Sequence, residues 1–405
     1  MLSFSDTLTE SKNTHMTHIE DKVLYGGVNG TRQAIFALRD MRDMLGGGGG
    51  SVSVKWDGAP AVFAGTDPRD GQFFVAKKGI FNKNPKVYKT DAEVDADTSG
   101  DLSTKLKAAL QYLPALGIKG VIQGDFLFGP GDVSVKTIKG KSYSTFHPNT
   151  IVYAIPSEQA GPVNTAKIGI VWHTTYTGST FETMKASYGV DVSKLNNTTA
   201  VWSQDAFLRD MTKATMTKRE TDDVNKILTQ IGVLFNQISG NTLRALEADQ
   251  ALAQHIEQYN NTFVRQGQII SNTKAHTNGL IRWIKSKYQK EIDKRKTTKG
   301  KSVQKTKRDA LLKFFSAENK ENLVKMFELQ KLIVIAKLRL INKLNRLQSY
   351  ETFVKTRKGF KVTGAEGYVA IDKLGGDAVK LVDRLEFSYN NFSPDIIKGW
   401  DKAGR

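Results

Sequence analysis

Between residues 181 and 352 the chain has no proline, while Leu, Lys, Gln and Glu are common. Proline removes a backbone donor and clashes with the preceding turn, so its absence over this length leaves long helices open. The block reads as helix almost throughout. Leu323, Phe327, Ile333, Leu340, Ile341 and Leu344 form the apolar side of one core helix of a bundle. Strand patterns flank it. Ser51-Val52-Ser53-Val54 alternates, and residues 61–64 and 73–76 are apolar runs parted by the turn Asp67-Pro68-Arg69-Asp70-Gly71. Further strands are predicted at 120–128, 150–155 and 168–174, with a helix at 101–113. Strands return at 361–363, 368–371 and 379–382. Near the start, Ala34, Ile35, Leu38, Met41 and Leu45 lie at helical spacing, followed by five glycines that cannot hold a helix. The expected organisation is a helical segment 1–45, a glycine linker or loop 46–50, the first part of an α+β core 51–180, a helical insertion 181–355, and the second part of the core 356–405.

The chain has 405 residues and no cysteine, which excludes disulfides, thiolate metal sites and cysteine nucleophiles. That suits a reducing interior, so a cytoplasmic location is expected, the host's cytoplasm if the protein is viral. No apolar run reaches bilayer length, and the polar start lacks an apolar signal core, so no membrane partner is expected. The formal charge of +18 favours a polyanion, because each neutralised phosphate releases condensed counterions. From Lys290 to Arg308 basic residues far outnumber acids. That stretch reads either as a solvated loop or as a phosphate-contacting arm.

The chemistry-bearing pattern begins at Lys55-Trp56-Asp57-Gly58. Lys55 ends a predicted strand and Asp57-Gly58 makes a turn. A lysine amine attacks when neutral and when an in-line electrophile is held against it. Alone, the run is an ordinary β-turn with a surface lysine. Other segments follow in order. Lys77-Lys78-Gly79 places cations after a strand, and Gly124-Asp125 sets a carboxylate in an apolar strand. Trp172-His173 ends another apolar strand, Glu366-Gly367-Tyr368-Val369 gives a second carboxylate at a strand start, and Lys380 lies on the last strand.

This series resembles the covalent nucleotidyltransferase superfamily of ATP-dependent DNA and RNA ligases and mRNA capping enzymes. Lys55 to Gly58 match that family's Lys-x-Asp-Gly motif, and Lys78-Gly79 and Gly124-Asp125 are similar to its next two, though Glu is usual where Asp125 stands. Glu366 to Val369 match its Glu-Gly-x-Val motif. Its final Lys-x-Lys is met in part: Lys380 fits, Val382 stands at the second lysine, and Arg384 is one strand period further along the same face. The resemblance implies an antiparallel-sheet nucleotidyltransferase core of the ATP-grasp-like ligase kind, carrying a large all-α insertion. It implies that Lys55 takes AMP from ATP. Asp57 and Gly58 would shape the nucleotide pocket. Lys78, Lys380 and Arg384 would face the phosphates. Asp125 and Glu366 would hold the ribose or a divalent cation, Mg²⁺ or Mn²⁺, and Trp172 or Phe126 would cover the base. Too few residues follow Leu385 for the domain that DNA ligases and capping enzymes carry after the last motif, which favours RNA over DNA as the polynucleotide. The runs His18-Ile19-Glu20-Asp21 and Phe146-His147-Pro148-Asn149-Thr150 are also similar to stretches of uncharacterised proteins of large tailed phages.

Two alternatives stand beside a ligase. One is a catalytically degenerate ligase fold that binds nucleic acid, and the other is a virion-associated structural protein. His18 reads as a helix start capped by Thr17 or Asp21, and His173 as a packed strand residue.

Overall fold

A computed structural model of the chain describes residues 17–48, 52–208, 212–371 and 378–400. Residues 1–16 of the expected N-terminal helical segment, Gly49 and Gly50 of the glycine run, and Ser51 of the first predicted strand lie outside the described residues. The strands in chain order are β1 (Val52–Lys55), β2 (Ala61–Thr66), β3 (Phe73–Ala76), β4 (Val121–Phe128), β5 (Ser134–Ile138), β6 (Lys141–Phe146), β7 (Ile151–Pro156) and β8 (Ile168–Thr177). They continue as β9 (Lys185–Tyr188), β10 (Val201–Asp205), β11 (Phe207–Leu208), β12 (Glu351–Thr356), β13 (Gly359–Val362), β14 (Gly367–Ile371), β15 (Ala378–Leu381) and β16 (Ile396–Ile397). Three sheets result, ordered β11-β1-β14-β15, β10-β8-β4-β2-β3 with β9 on β8, and β13-β12-β7-β6-β5 with β16 on β12. The strand pairs among the described residues are antiparallel except β8 with β10. The expectation of an α+β chain with antiparallel sheets holds.

The helices begin at Lys218, later than the proline-free block suggests. β9, β10 and β11 occupy residues 185–208, where Val, Ser, Thr and aromatic residues favour extended backbone. Lack of proline permits helix without imposing it. Likewise β5 and β6 were not predicted, because β5 shows water four exposed residues and carries no apolar alternation. Helices then run Lys218–Asn236, Gly240–Ala248, Gln250–Arg265, Thr273–Asp293, Thr298–Leu312 and Ala317–Leu344. Five of these start behind a side chain that accepts a first-turn N–H: Thr217, Asp249, Asn272, Thr297 and Ser316. The basic stretch from Lys290 to Arg308 is a helical hairpin and not a loop, since it spans the end of one helix and most of the next. No helix among the described residues is long and apolar enough to cross a membrane.

The N-terminal helix Gly27–Asp43 joins the inserted helices. Its Ala34, Ile35, Leu38 and Met41 share one core with Leu228, Ile231, Leu243, Leu246, Leu323 and Phe327. The turn before it carries two acids into that core. Both Glu20 oxygens accept from Lys337 Nζ at 2.9 Å, and both residues are buried. Arg384 donates to Asp21 at 2.6 Å and pairs with Glu257 at 3.5 Å. Burial alone would raise the Glu20 carboxyl, but Lys337 beside it holds it down to about 2.

A buried charge left without its partner costs about 3–5 kcal/mol. Lys337→Met should therefore lower the unfolding midpoint in urea sharply, whereas the double variant Glu20→Gln/Lys337→Met should lose much less. Equal losses for the two variants would show that the pair does not act as a unit. Because Glu20 is depressed, its contribution is complete above its ordinary 4.5 and disappears as pH falls from there toward 2.

Candidate active site around Lys55

Lys55 is the last residue of β1, whose Val52 and Val54 are buried. β1 lies against β14 with Lys55 opposite Gly367 and Ser53 opposite Val369, and β15 continues the row with Lys380 opposite Val369. Residues opposite one another share a face, as do residues two apart on a strand. Lys55 and Lys380 therefore project from the same side of this sheet. Gly367 has φ of 153°, and a Cβ there would lie 2.4 Å from the Leu381 carbonyl oxygen. That close approach seats Glu366 immediately before the strand, where its carboxylate receives a hydrogen bond from Lys55 Nζ. The Lys55 side chain is 31% exposed and that of Glu366 only 5%, so the pair sits at the mouth of the site with its acid inside. Burial raises the Glu366 carboxyl, opposed by Lys55 and Lys380 and reinforced by Asp125. Burial lowers Lys380, and the Lys55 charge lowers it further.

Asp125 arrives from the second sheet. The turn after Lys55 docks on β4: Ala59 N–H donates to the Phe126 carbonyl at 2.8 Å, and Phe126 N–H donates to that of Pro60 at 3.0 Å. A Cβ at Gly58 would lie 2.7 Å from Asp125 Cβ, so the glycine is what lets the turn and the carboxylate meet. His173 Nε2 is 3.6 Å from an Asp125 oxygen.

Asp57 is buried and turned away from this cluster. It accepts hydrogen bonds from Asn149 Nδ2 at 2.7 Å and from the Thr150 and Ile151 N–H groups at 2.7 and 2.9 Å, while its own N–H donates to the Tyr153 hydroxyl at 2.6 Å. It fastens the Lys55 turn to the start of β7. Burial pushes its carboxyl up to about 7, with Glu366 adding to the rise and the two backbone N–H groups opposing it.

Of the residues predicted for the site, Lys55, Asp125, Glu366 and Lys380 come together, and Asp57 and Gly58 shape the turn that unites them. Lys78 is exposed at the start of a short 3-10 turn, Lys78–Phe81, and no ion pair or hydrogen bond ties it to the four among the described residues. Trp172 is corrected. It is fully buried with Phe126, Ile170 and Val62 on the other side of the sheet, its indole N–H donating to Ser203 Oγ at 3.1 Å. Neither Trp172 nor Phe126 can cover a base there. The half-exposed ring beside Asp125 is His173, which sequence reasoning set aside as a packed strand residue. The period-2 alternation around Trp172 was the signal that could have found it. Arg384 is also corrected. β15 ends at Leu381, and Arg384 opens the helix Arg384–Phe392 with its guanidinium engaged by Asp21, Glu257 and Asn261. Val382, where a second lysine was expected, is buried. Neither Thr17 nor Asp21 caps the turn at His18, since no side-chain cap hydrogen bond forms there; His18 is partly buried and bridges Lys380 through the backbone.

Asp125 and Glu366 offer the hard oxygen donors that suit Mg²⁺ or Mn²⁺. No three His, Asp or Glu residues gather into a metal site among the described residues, so such a cation would complete its shell from phosphate oxygens and water.

Because the Asp57 carboxyl is raised, its contribution to stability is complete below its ordinary 3.8 and is lost as pH rises through about 7. Asp57→Asn should flatten the fall in melting temperature across that window. It should also cost about 1–3 kcal/mol, since an amide nitrogen would face N–H donors. An unchanged pH slope would rule out titration of Asp57. No curated protein and no solved structure matches the chain. A family model matches residues 13–395, and the chain belongs to that family, the family of unknown function DUF6267.

Proposed function

We propose that the chain is an ATP-dependent polynucleotide ligase-like nucleotidyltransferase, with RNA the favoured polynucleotide. The observation that carries this reading is the convergence of Lys55, Glu366 and Lys380 on one sheet with Asp125 from another. Lys55 Nζ attacks the α-phosphorus of ATP. A P–N bond forms as the P–O bond to pyrophosphate breaks, and the amine proton leaves to the solvent that Lys55 faces. Glu366 orients the amine before attack. Lys380 stabilises charge gathering on the phosphate oxygens. A divalent cation at Asp125 and Glu366 would neutralise the leaving pyrophosphate. The helical hairpin from Lys290 to Arg308, with Lys299, Lys301, Lys305 and Lys307 exposed, supplies a surface for the polynucleotide backbone.

A second reading, a ligase fold that binds nucleic acid without chemistry, is favoured by two observations. Val382 is buried where a second phosphate-facing lysine was expected, and Arg384 is engaged elsewhere.

Incubation with α-labelled ATP and Mg²⁺ should yield a labelled protein adduct that Lys55→Ala abolishes. Lys380→Ala should slow its formation by roughly 10²–10³, the usual loss for one preorganised charge-stabilising group. Absence of an adduct with ATP, GTP and NAD, together with salt-sensitive RNA binding that survives Lys55→Ala, would establish the second reading instead.

A further inference from the structure

The segment after the helix Arg384–Phe392 folds back onto the sheet that holds the Lys55 turn. β16 pairs with β12, Lys355 opposite Ile397 and Thr356 opposite Ile396, which sets Ile396 next to the β12–β13 turn. Gly399 N–H donates to the Asn149 carbonyl at 2.7 Å, and Lys398 Nζ reaches both Thr150 Oγ1 at 3.1 Å and the Asn390 carbonyl at 2.9 Å. Asn149 and Thr150 are the residues that clamp Asp57. Residues 398 and 399 are therefore built onto the loop that positions the Lys55 turn.

What this corner shows to water is unusual for a surface. Trp400 is 61% exposed and Phe392 58%, with the Arg265 guanidinium 4.4 Å above the Phe392 ring. Just past the Thr356–Ile396 pair, the β12–β13 turn presents Arg357 and Lys358, both exposed and without an ion-pair partner among the described residues. Exposed aromatic faces interleaved with unpaired cations suit one class of partner. Bases stack on rings while cations follow the phosphates. A duplex hides its base faces and gains only the charge term.

We infer that the surface formed by Arg357, Lys358, Phe392 and Trp400 binds a single-stranded polynucleotide and leads it toward Lys55. This rests on the nucleotidyltransferase reading for its direction, though not for the binding itself. The surface is distinct from the basic helical hairpin, which has charge without a comparable pair of exposed rings.

The test uses the full chain and a fluorescein-labelled single-stranded oligoribonucleotide, with a duplex of equal length for comparison. Phe392→Ala/Trp400→Ala should weaken single-strand binding by at least about tenfold and duplex binding far less. Arg357→Ala/Lys358→Ala should weaken both and lower the slope of log affinity against log salt by about two. Circular dichroism and melting temperature establish that each variant folds, and labelled-ATP adduct formation is read on the same samples. Native single-strand affinity in both folded double variants overturns the inference, as does equal loss for duplex and single strand in the aromatic variant. Loss of single-strand binding by a protein that never forms an adduct leaves this surface standing and removes the nucleotidyltransferase reading.

Discussion

Two acids carried into the core just ahead of the first long helix tie the molecule together. Glu20 and Asp21 are buried, and a buried carboxylate persists only where a cation meets it. Their partners come from distant places: Lys337 from the longest inserted helix and Arg384 from just beyond β15. One cluster therefore joins the N-terminal turn, the insertion and the strand that bears Lys380. It also explains why Arg384 is withheld from the candidate site. The same guanidinium cannot neutralise Asp21 in the core and a phosphate at the mouth. The insertion is accordingly part of what fixes β15, not an appendage hung from a finished core.

The candidate site shows the same economy of construction. β1 ends where the chain must leave the first sheet, and the five residues after Lys55 cross to the second. Gly58 permits the contact with Asp125, and Asp57 secures the crossing by gripping the start of β7. The Lys55-x-Asp-Gly run thus has a physical division of labour. The lysine faces out, the aspartate works inward, and the glycine removes the atom that would hold two strands apart.

Much of this was legible in the sequence, and the failures have identifiable causes. Alternation at 51–54 marks β1, the expected strands at 120–128 and 150–155 match β4 and β7 to within a residue, 168–174 falls three residues short of the end of β8, and helical spacing marks most of Gly27–Asp43 and Ala317–Leu344. Each carries an apolar run or stripe long enough to read from the sequence, with β7 and most of β8 buried on both faces. β5 escaped because it is mostly solvated and its residues follow no apolar rhythm. The strands at 185–208 escaped because freedom from proline was read as helix. Trp172 was placed in the site by the resemblance alone, although a fully buried ring and its partly exposed neighbour His173 must lie on opposite faces of one strand. Arg384 was placed there by extending a strand that ends at Leu381. Its partners Asp21 and Glu257 are far away in sequence, and no local pattern announces them.

Charge balance constrains what the site can do in the proposed reaction. Lys55 and Lys380 contribute two cations, and Glu366 and Asp125 two carboxylates, so the cluster is formally near neutral despite a chain charge of +18. A triphosphate brings several negative charges into a place already occupied by acids. Attraction by these four residues alone cannot hold it, because each carboxylate repels the phosphates about as strongly as each lysine attracts them at similar distance. A divalent cation reverses that arithmetic by turning the two acids from a source of repulsion into ligands. With Val382 in place of a second lysine, the site has less fixed positive charge than the ligase pattern it resembles. A ligase-like reaction here must therefore depend more steeply on the metal, whereas a protein that only binds polynucleotide would show no such dependence, since its cations lie on the outer hairpins and away from these carboxylates.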